Sequence, residues 1–149
     1  MIICLVTIDQ LVKLNVIKNI YNTSTTVIDE VLNLTYIENT GGAFGIANNN
    51  TIMFVIINII VITIISKIII LKRNEISTKI LIGLGLILAG GIGNLIDRIF
   101  RGFVVDYIDF NPIIKYPVFN IADIYVVLGC MIIVINIIIG MIKKENDYS

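Results

Sequence analysis

IMFVIINIIVITIISKIIIL, residues 52–71, decides the fold. It has the roughly 20 residues that an α-helix needs to cross the hydrocarbon core of a bilayer. Its isoleucine run from Ile56 to Ile65 is too long and too uniform for one face of a soluble helix. The rest of the chain shares this character: 57% of its 149 residues are hydrophobic and mean hydropathy is +0.96. The chain therefore reads as an integral membrane protein. Its net charge is zero, so it offers neither a broad basic field for nucleic acid nor an acidic tail for a cationic partner. Nucleic-acid binding is set aside.

A second span of the same quality runs over 121–142. A third, over 80–96, is rich in glycine, and Gly85, Ala89 and Gly93 recur every fourth residue along one helical stripe. Small residues at that spacing let helix backbones approach closely in lipid, which makes this segment the expected packing centre of a bundle. The first segment, 1–20, is long enough to span but carries Asp9 and Lys13. Either this helix is short and tilted, or the sequence begins late. Asp9 and Lys13 stand four apart with the acid first, the favourable orientation for a helical ion pair, so a structural bridge and a functional role are both open. A cleaved signal peptide is not expected, because a basic leading region and a small-residue cleavage site are both missing. The expected fold class is an all-α membrane protein, a single domain over 1–149, with four transmembrane helices at about 1–20, 52–71, 80–96 and 121–142.

Basic residues orient the bundle. Lys67, Lys72, Arg73 and Lys79 surround the short connection between the second and third spans, and Lys143 and Lys144 follow the fourth. Both regions, and with four spans both termini, are expected on the cytoplasmic side. Two longer polar stretches, about 21–51 and 98–120, then lie outside. In the first, Leu32, Leu34 and Tyr36 alternate with Asn33, Thr35 and Ile37; the second holds Val104, Val105, Tyr107 and Ile108, followed by Pro112 and Pro117. These patterns favour strands, and non-helical backbone cannot face lipid. A small extracytoplasmic β platform over the mouth of the bundle is expected.

The chain contains no histidine, which excludes Ser-His-Asp and Cys-His relays and HExxH zinc sites. Cys4 and Cys130 lie in apolar runs and read as small buried hydrophobes. Ser66 and Lys67 are adjacent and point about 100° apart, so they read as a helix-end anchor, not a catalytic pair. Carboxylates at the edge of lipid are costly to keep and therefore functional by default. Asp106 and Asp123, at the ends of two apolar segments, are the candidates for a hydrolytic pair.

Five short blocks fall on the outer side or in the first helix: DQLVK (9–13), NTGGAF (39–44), GNLIDR (93–98), VVDYID (104–109) and FNIAD (119–123). In this order, and over nearly the whole chain, they resemble the lipoprotein signal peptidases of bacteria, the signal peptidase II family. The resemblance implies an aspartic endopeptidase of the cytoplasmic membrane that removes the signal peptide from a diacylglyceryl-modified prolipoprotein, cutting immediately before the modified cysteine. It implies that Asp106 and Asp123 are the catalytic pair. The supporting or substrate-binding residues it implies are Asp9, Lys13, Asn39, Gly41, Asn94, Asp97, Arg98 and Asn120. It further implies a β cradle and a short extracytoplasmic helix over four helices, with no metal or organic cofactor required. Lipid-modified prolipoproteins and membrane lipids are the expected partners, and a monomer is the expected state. One departure is Gly42 before Ala43, where the family usually has two alanines; it adds backbone freedom but removes no catalytic group.

Two carboxyls at one site cannot both ionise cheaply, so such a pair holds one proton near neutrality. The ionised member can take a proton from the attacking water while the other donates to the scissile carbonyl. Asn39 and Asn120 can orient a carboxylate or bind substrate backbone. Arg98 can bind carbonyls or fix the chain around Asp97, and Asp97 beside that guanidinium reads as architectural. Asp109, three residues beyond Asp106 in a strand, is expected on the opposite face and solvated. Asn58 and Asn136 are expected to bond between helices. Small residues at Gly42 and Ala43 would leave room for a substrate entering sideways. A proton-coupled transporter is the reading from another class. It predicts carboxylates along a path through the bilayer, whereas all acids except Glu75, Glu145 and Asp147 lie outside or in the first helix. A prepilin-type aspartic protease fits less well, since its site faces the cytoplasm.

Overall fold

The computed structural model describes residues 1–42, 50–111 and 113–146. In chain order they form α1 (Ile2–Ile20), β1 (Ser24–Ile28), β2 (Leu32–Asn39), α2 (Thr51–Lys72), α3 (Thr78–Phe100), β3 (Val104–Asp109) and α4 (Ile121–Asn146). Three helices, α2, α3 and α4, are long and apolar enough to cross a membrane. The fold is thus a helical membrane-protein fold carrying a small antiparallel sheet. The short outer helix implied by the resemblance does not occur among the described residues, and Ala43 and Pro112 lie outside them.

The third helix stands at the centre, packed against each of the other three. It is longer than its apolar stretch. Ser77 caps its start by accepting the Ile80 N–H, and the helix continues past Ile96 until Arg101 closes it onto the Asp97 carbonyl and Gly102 turns away at φ +84°. The GNLIDR block is therefore the last turns of a helix. Its small residues divide between two neighbours. A side chain at Gly83 or Gly90 would run into the backbone of α4 at Gly129 or Ala122, whereas one at Gly85 or Gly93 would meet Met1, just ahead of α1, or Asp9 within it. The helices approach this closely because those side chains are missing.

Most of the perimeter is isoleucine. Only Ile65 of α2 is buried, and Ile56, Ile60 and Ile64 project outward, as do Val134 and Ile138 of α4. Cys4 and Cys130 also face outward, which corrects the expectation that both are buried: a membrane helix turns its apolar residues to lipid as readily as to its neighbours. On α1, too, apolar residues face outward, and charged ones face in. Ile3, Leu11 and Leu14 are exposed, while Asp9 and Lys13 are fully buried.

The sheet has the order β1-β2-β3, both pairs antiparallel. It packs on the C-terminal half of α1, where Val16 meets Tyr36, Val105 and Tyr107, with Val12, Ile17, Ile20 and Leu34 around them. Because successive strand residues face opposite ways, β3 gives Val105 and Tyr107 to this core and turns Val104 and Asp106 toward the bundle. Asp109 corrects another expectation. The face opposite Asp106 is itself covered, so Asp109 is buried; its carboxylate accepts from Thr35 Oγ1 and from the backbone and side-chain nitrogens of Asn111.

Candidate active site

The first turn of α4 is built on Asn120. Its side-chain oxygen accepts the Asp123 N–H at 3.0 Å, and Asp123 Oδ2 accepts the Asn120 N–H at 3.1 Å, a reciprocal capping box that orients the Asp123 carboxylate. The remaining nitrogen of Asn120 donates to Asp106 Oδ1 at 2.7 Å. One asparagine therefore holds both aspartates. Asn39, opposite Val104 in the sheet, donates to the other oxygen of Asp106 at 2.8 Å and accepts from the Gly41 N–H. Asn94 on α3 donates to Asp123 Oδ1 at 2.7 Å and accepts from Asn120 at 3.2 Å.

Asn39, Asn94, Asp106 and Asp123 line a cavity of about 370 Å³, together with Phe54 and Asn58 of α2, Val126 and Val127 of α4, and Tyr116 to Phe119. Arg98 reaches into it, donates to the Gly41 carbonyl at 3.1 Å and lies over the Phe54 ring. Its Nε is buried and unpaired among the described residues. Asp106 is 2% exposed. Burial, and next the charge of Asp123, push its carboxyl up to about 7, against the opposing bonds from Asn39 and Asn120. Among the described residues no group of three or more His, Cys, Asp or Glu is placed to hold a metal ion.

A second layer lies behind the cavity. Lys13 bridges Asp9 and Asp97 at 3.0 Å each and donates to Asn94 Oδ1 at 2.9 Å. Asp97 pairs with Arg101 rather than with its neighbour Arg98, and also accepts from Gln10 and from the Val105 N–H. Of the residues proposed from sequence, Asn39, Asn94, Arg98, Asp106 and Asp123 line the cavity; Gly41 and Asn120 are bonded to that lining, and Asp9, Lys13 and Asp97 form the layer behind. Gln10, Arg101, Phe54 and Tyr116 were not singled out by sequence. Arg101 was detectable as the i+4 partner of Asp97, and Gln10 from its place between Asp9 and Lys13. Asn58, expected to bond between helices, instead lines the cavity.

The family model described as signal peptidase (SPase) II matches residues 1–139. The chain belongs to the signal peptidase II family. Among similar proteins, the lipoprotein signal peptidase of Clostridioides difficile is 41% identical over 92% of this chain and 91% of its own length. That of Halothermothrix orenii is 38% identical over 90% of each. A solved bacterial membrane enzyme superposes with a TM-score of 0.84 at 34% identity, covering 94% of this chain and 86% of its own. With its three apolar spans, this signal peptidase II family member is a bacterial membrane protease.

Titration of Asp106 links its site to stability. In the unfolded chain the carboxyl releases its proton near 3.8; in the fold it holds it to about 7. The folded state then binds the extra proton, so the stability contributed by this proton is complete below about pH 4 and is lost as pH rises through 7. Thermal unfolding in detergent from pH 4.5 to 7.5 is expected to show a falling Tm for the native chain. The fall should be shallower in Asp106→Asn, and equal slopes would contradict this account.

Proposed function

We propose that this chain removes the signal peptide from diacylglyceryl-modified prolipoproteins, cutting immediately before the lipid-modified cysteine, with Asp106 and Asp123 as the catalytic pair. The observation that carries this reading is the convergence of two carboxylates, one from β3 and one from α4, on a single cavity through the shared Asn120. Asp106, which titrates near neutrality, holds the proton shared by the pair. Asp123 takes a proton from water as the oxygen attacks the scissile carbonyl, and Asp106 donates to the carbonyl oxygen. Collapse of the tetrahedral intermediate returns a proton to the leaving amine. The Arg98 guanidinium, which reaches into the cavity, and the Asn39 amide supply donors for the substrate backbone.

We place α1 in the bilayer as the fourth span, since its 19 residues reach about 28 Å and its two charges turn inward. Both termini then lie in the cytoplasm, with the sheet and the site outside, an orientation supported by the basic loop at Lys72, Arg73 and Lys79. The chain works as one domain over 1–149 and as a monomer among membrane lipids. The decisive experiment offers the chain, reconstituted in lipid, the same prolipoprotein with and without the diacylglyceryl group, followed by gel shift and by sequencing of the new N-terminus. Cleavage of the modified form alone, exposing cysteine, is expected; equal cleavage of both forms, or a cut elsewhere, contradicts the substrate assignment.

A further inference from the structure

Lys13 bonds to neither Asp106 nor Asp123, yet the supports of both meet at its ammonium. We propose that Lys13 is a positioning residue for the pair, one that fixes the Asn94 amide beneath Asp123 and the Asp97 carboxylate that anchors β3 next to Asp106. The proposal rests on the reading of Asp106 and Asp123 as the catalytic pair.

An ammonium has three protons, and this one, fully buried, has three acceptors: Asn94 Oδ1 at 2.9 Å and one oxygen each of Asp9 and Asp97 at 3.0 Å. The first contact sets a polarity. With its oxygen turned to Lys13 and to the Asn120 amide, Asn94 must present its nitrogen to Asp123, which it reaches at 2.7 Å. Rotated by half a turn, the amide would set donor against ammonium and oxygen against carboxylate. The second contact sets a distance. Asp97 Oδ2 takes both the Lys13 bond and the Val105 N–H at 3.1 Å, and Val105 is the residue before Asp106. Arg101 and Gln10 occupy the other oxygen of Asp97, so this carboxylate cannot turn away. The third contact, to Asp9, sits against Gly93, where a side chain would strike the carboxylate, and docks α1 on α3 at this level.

Stability alone does not account for a lysine here. A well-packed apolar side chain usually serves as well as a buried ion pair, so what the charge adds is direction. The charged groups around it are Asp9 from α1, Asp97, Arg98 and Arg101 from α3, Asp106 from β3 and Asp123 from α4. Lys13 favours the ionised form of Asp106, and its loss moves the titration of that carboxyl to higher pH.

The test compares the native chain in lipid with Lys13→Met, with Lys13→Met/Asp9→Asn, which removes one positive and one negative charge together, and with Lys13→Arg. Each is assayed for thermal unfolding and for kcat and KM across pH on diacylglyceryl-modified prolipoprotein, with Asp106→Asn alongside. The double variant is expected to fold and to keep its KM, to lose about 100-fold in kcat, and to show the alkaline limb of its pH profile at higher pH. Lys13→Arg keeps the charge but not the compact contacts. It should retain the native alkaline limb with a lowered kcat, and it decides the question if the neutral variants do not fold. A native kcat and pH profile in the folded double variant, or a native kcat in Lys13→Arg, overturns the proposal. An inactive Asp106→Asn beside an active native chain leaves the catalytic pair standing whatever the Lys13 variants do; full activity in Asp106→Asn overturns that reading and this one with it.

Discussion

Asp106→Asn and Asp123→Asn are each expected to lower kcat for prolipoprotein cleavage by roughly 10³–10⁴-fold while leaving the chain folded. The shapes are the same, so packing at the closed Asp106 and the half-buried Asp123 is preserved and the loss is one of proton transfer. Folding should survive with a small penalty. Asp106 accepts from both Asn39 and Asn120, and an amide there offers only one oxygen, so one donor goes unpaired at a cost of about 1–3 kcal/mol. Asp123→Asn should weaken the capping box and with it the first turn of α4, by about 1 kcal/mol. The doubly substituted chain should be little worse than either single one, because the two groups act as a unit. Single-turnover cleavage of modified substrate, with unfolding followed on the same samples, reads all of this. A variant that keeps more than about a tenth of native activity would remove its aspartate from the chemistry.

Gly90→Leu should be the most damaging change away from the carboxylates. A side chain at this point of α3 meets the Ala122 carbonyl and the Val126 methyls, and Ala122 directly precedes Asp123. The leucine must push α4 outward at its first turn, at a cost of about 3 kcal/mol or more in overpacking. The carboxylate moves with the helix, so cleavage should fall below detection even in molecules that remain folded. The adjoining Gly91→Ala is the control. There the nearest atom is an Ile62 side-chain carbon at 3.6 Å, ordinary contact, so unfolding and cleavage should both stay near native. Equal behaviour of the two variants would mean that the α3–α4 approach does not position Asp123.

How much of this was legible in the sequence follows from which forces act locally. The spans of α2 and α4 were plain because lipid imposes length and apolarity residue by residue, and alternation at Leu32, Leu34 and Tyr36 marked β2 because one face of that strand packs on α1. The far end of α3 was not, because Asp97 and Arg98, just past the apolar stretch, look like loop to a hydropathy pattern; they stay helical because their polar groups are satisfied by α1, β3 and the Gly41 carbonyl. Asp109 was misplaced because a strand pattern gives the face and not what covers it. The two aspartates of the site could be named from their motifs, yet the sharing of Asn120 between them and the convergence on Lys13 are long-range facts. Asn94 lies 81 residues from the lysine that orients it. The capping box itself was within reach: an Asn followed three residues later by an Asp, ahead of an apolar run, is a helix start.

The cavity takes part of its wall from α2, at Phe54 and Asn58, and part from α4, at Val126 and Val127, and both helices stand on α3. Outside them begins the isoleucine belt, so the surrounding lipid adjoins the reaction chamber. For a substrate that arrives with acyl chains already in that lipid, the search for the enzyme takes place on a surface rather than in a volume. Bilayer viscosity and thickness then become kinetic variables of the same standing as substrate concentration, which for this chain is properly counted per unit of membrane area.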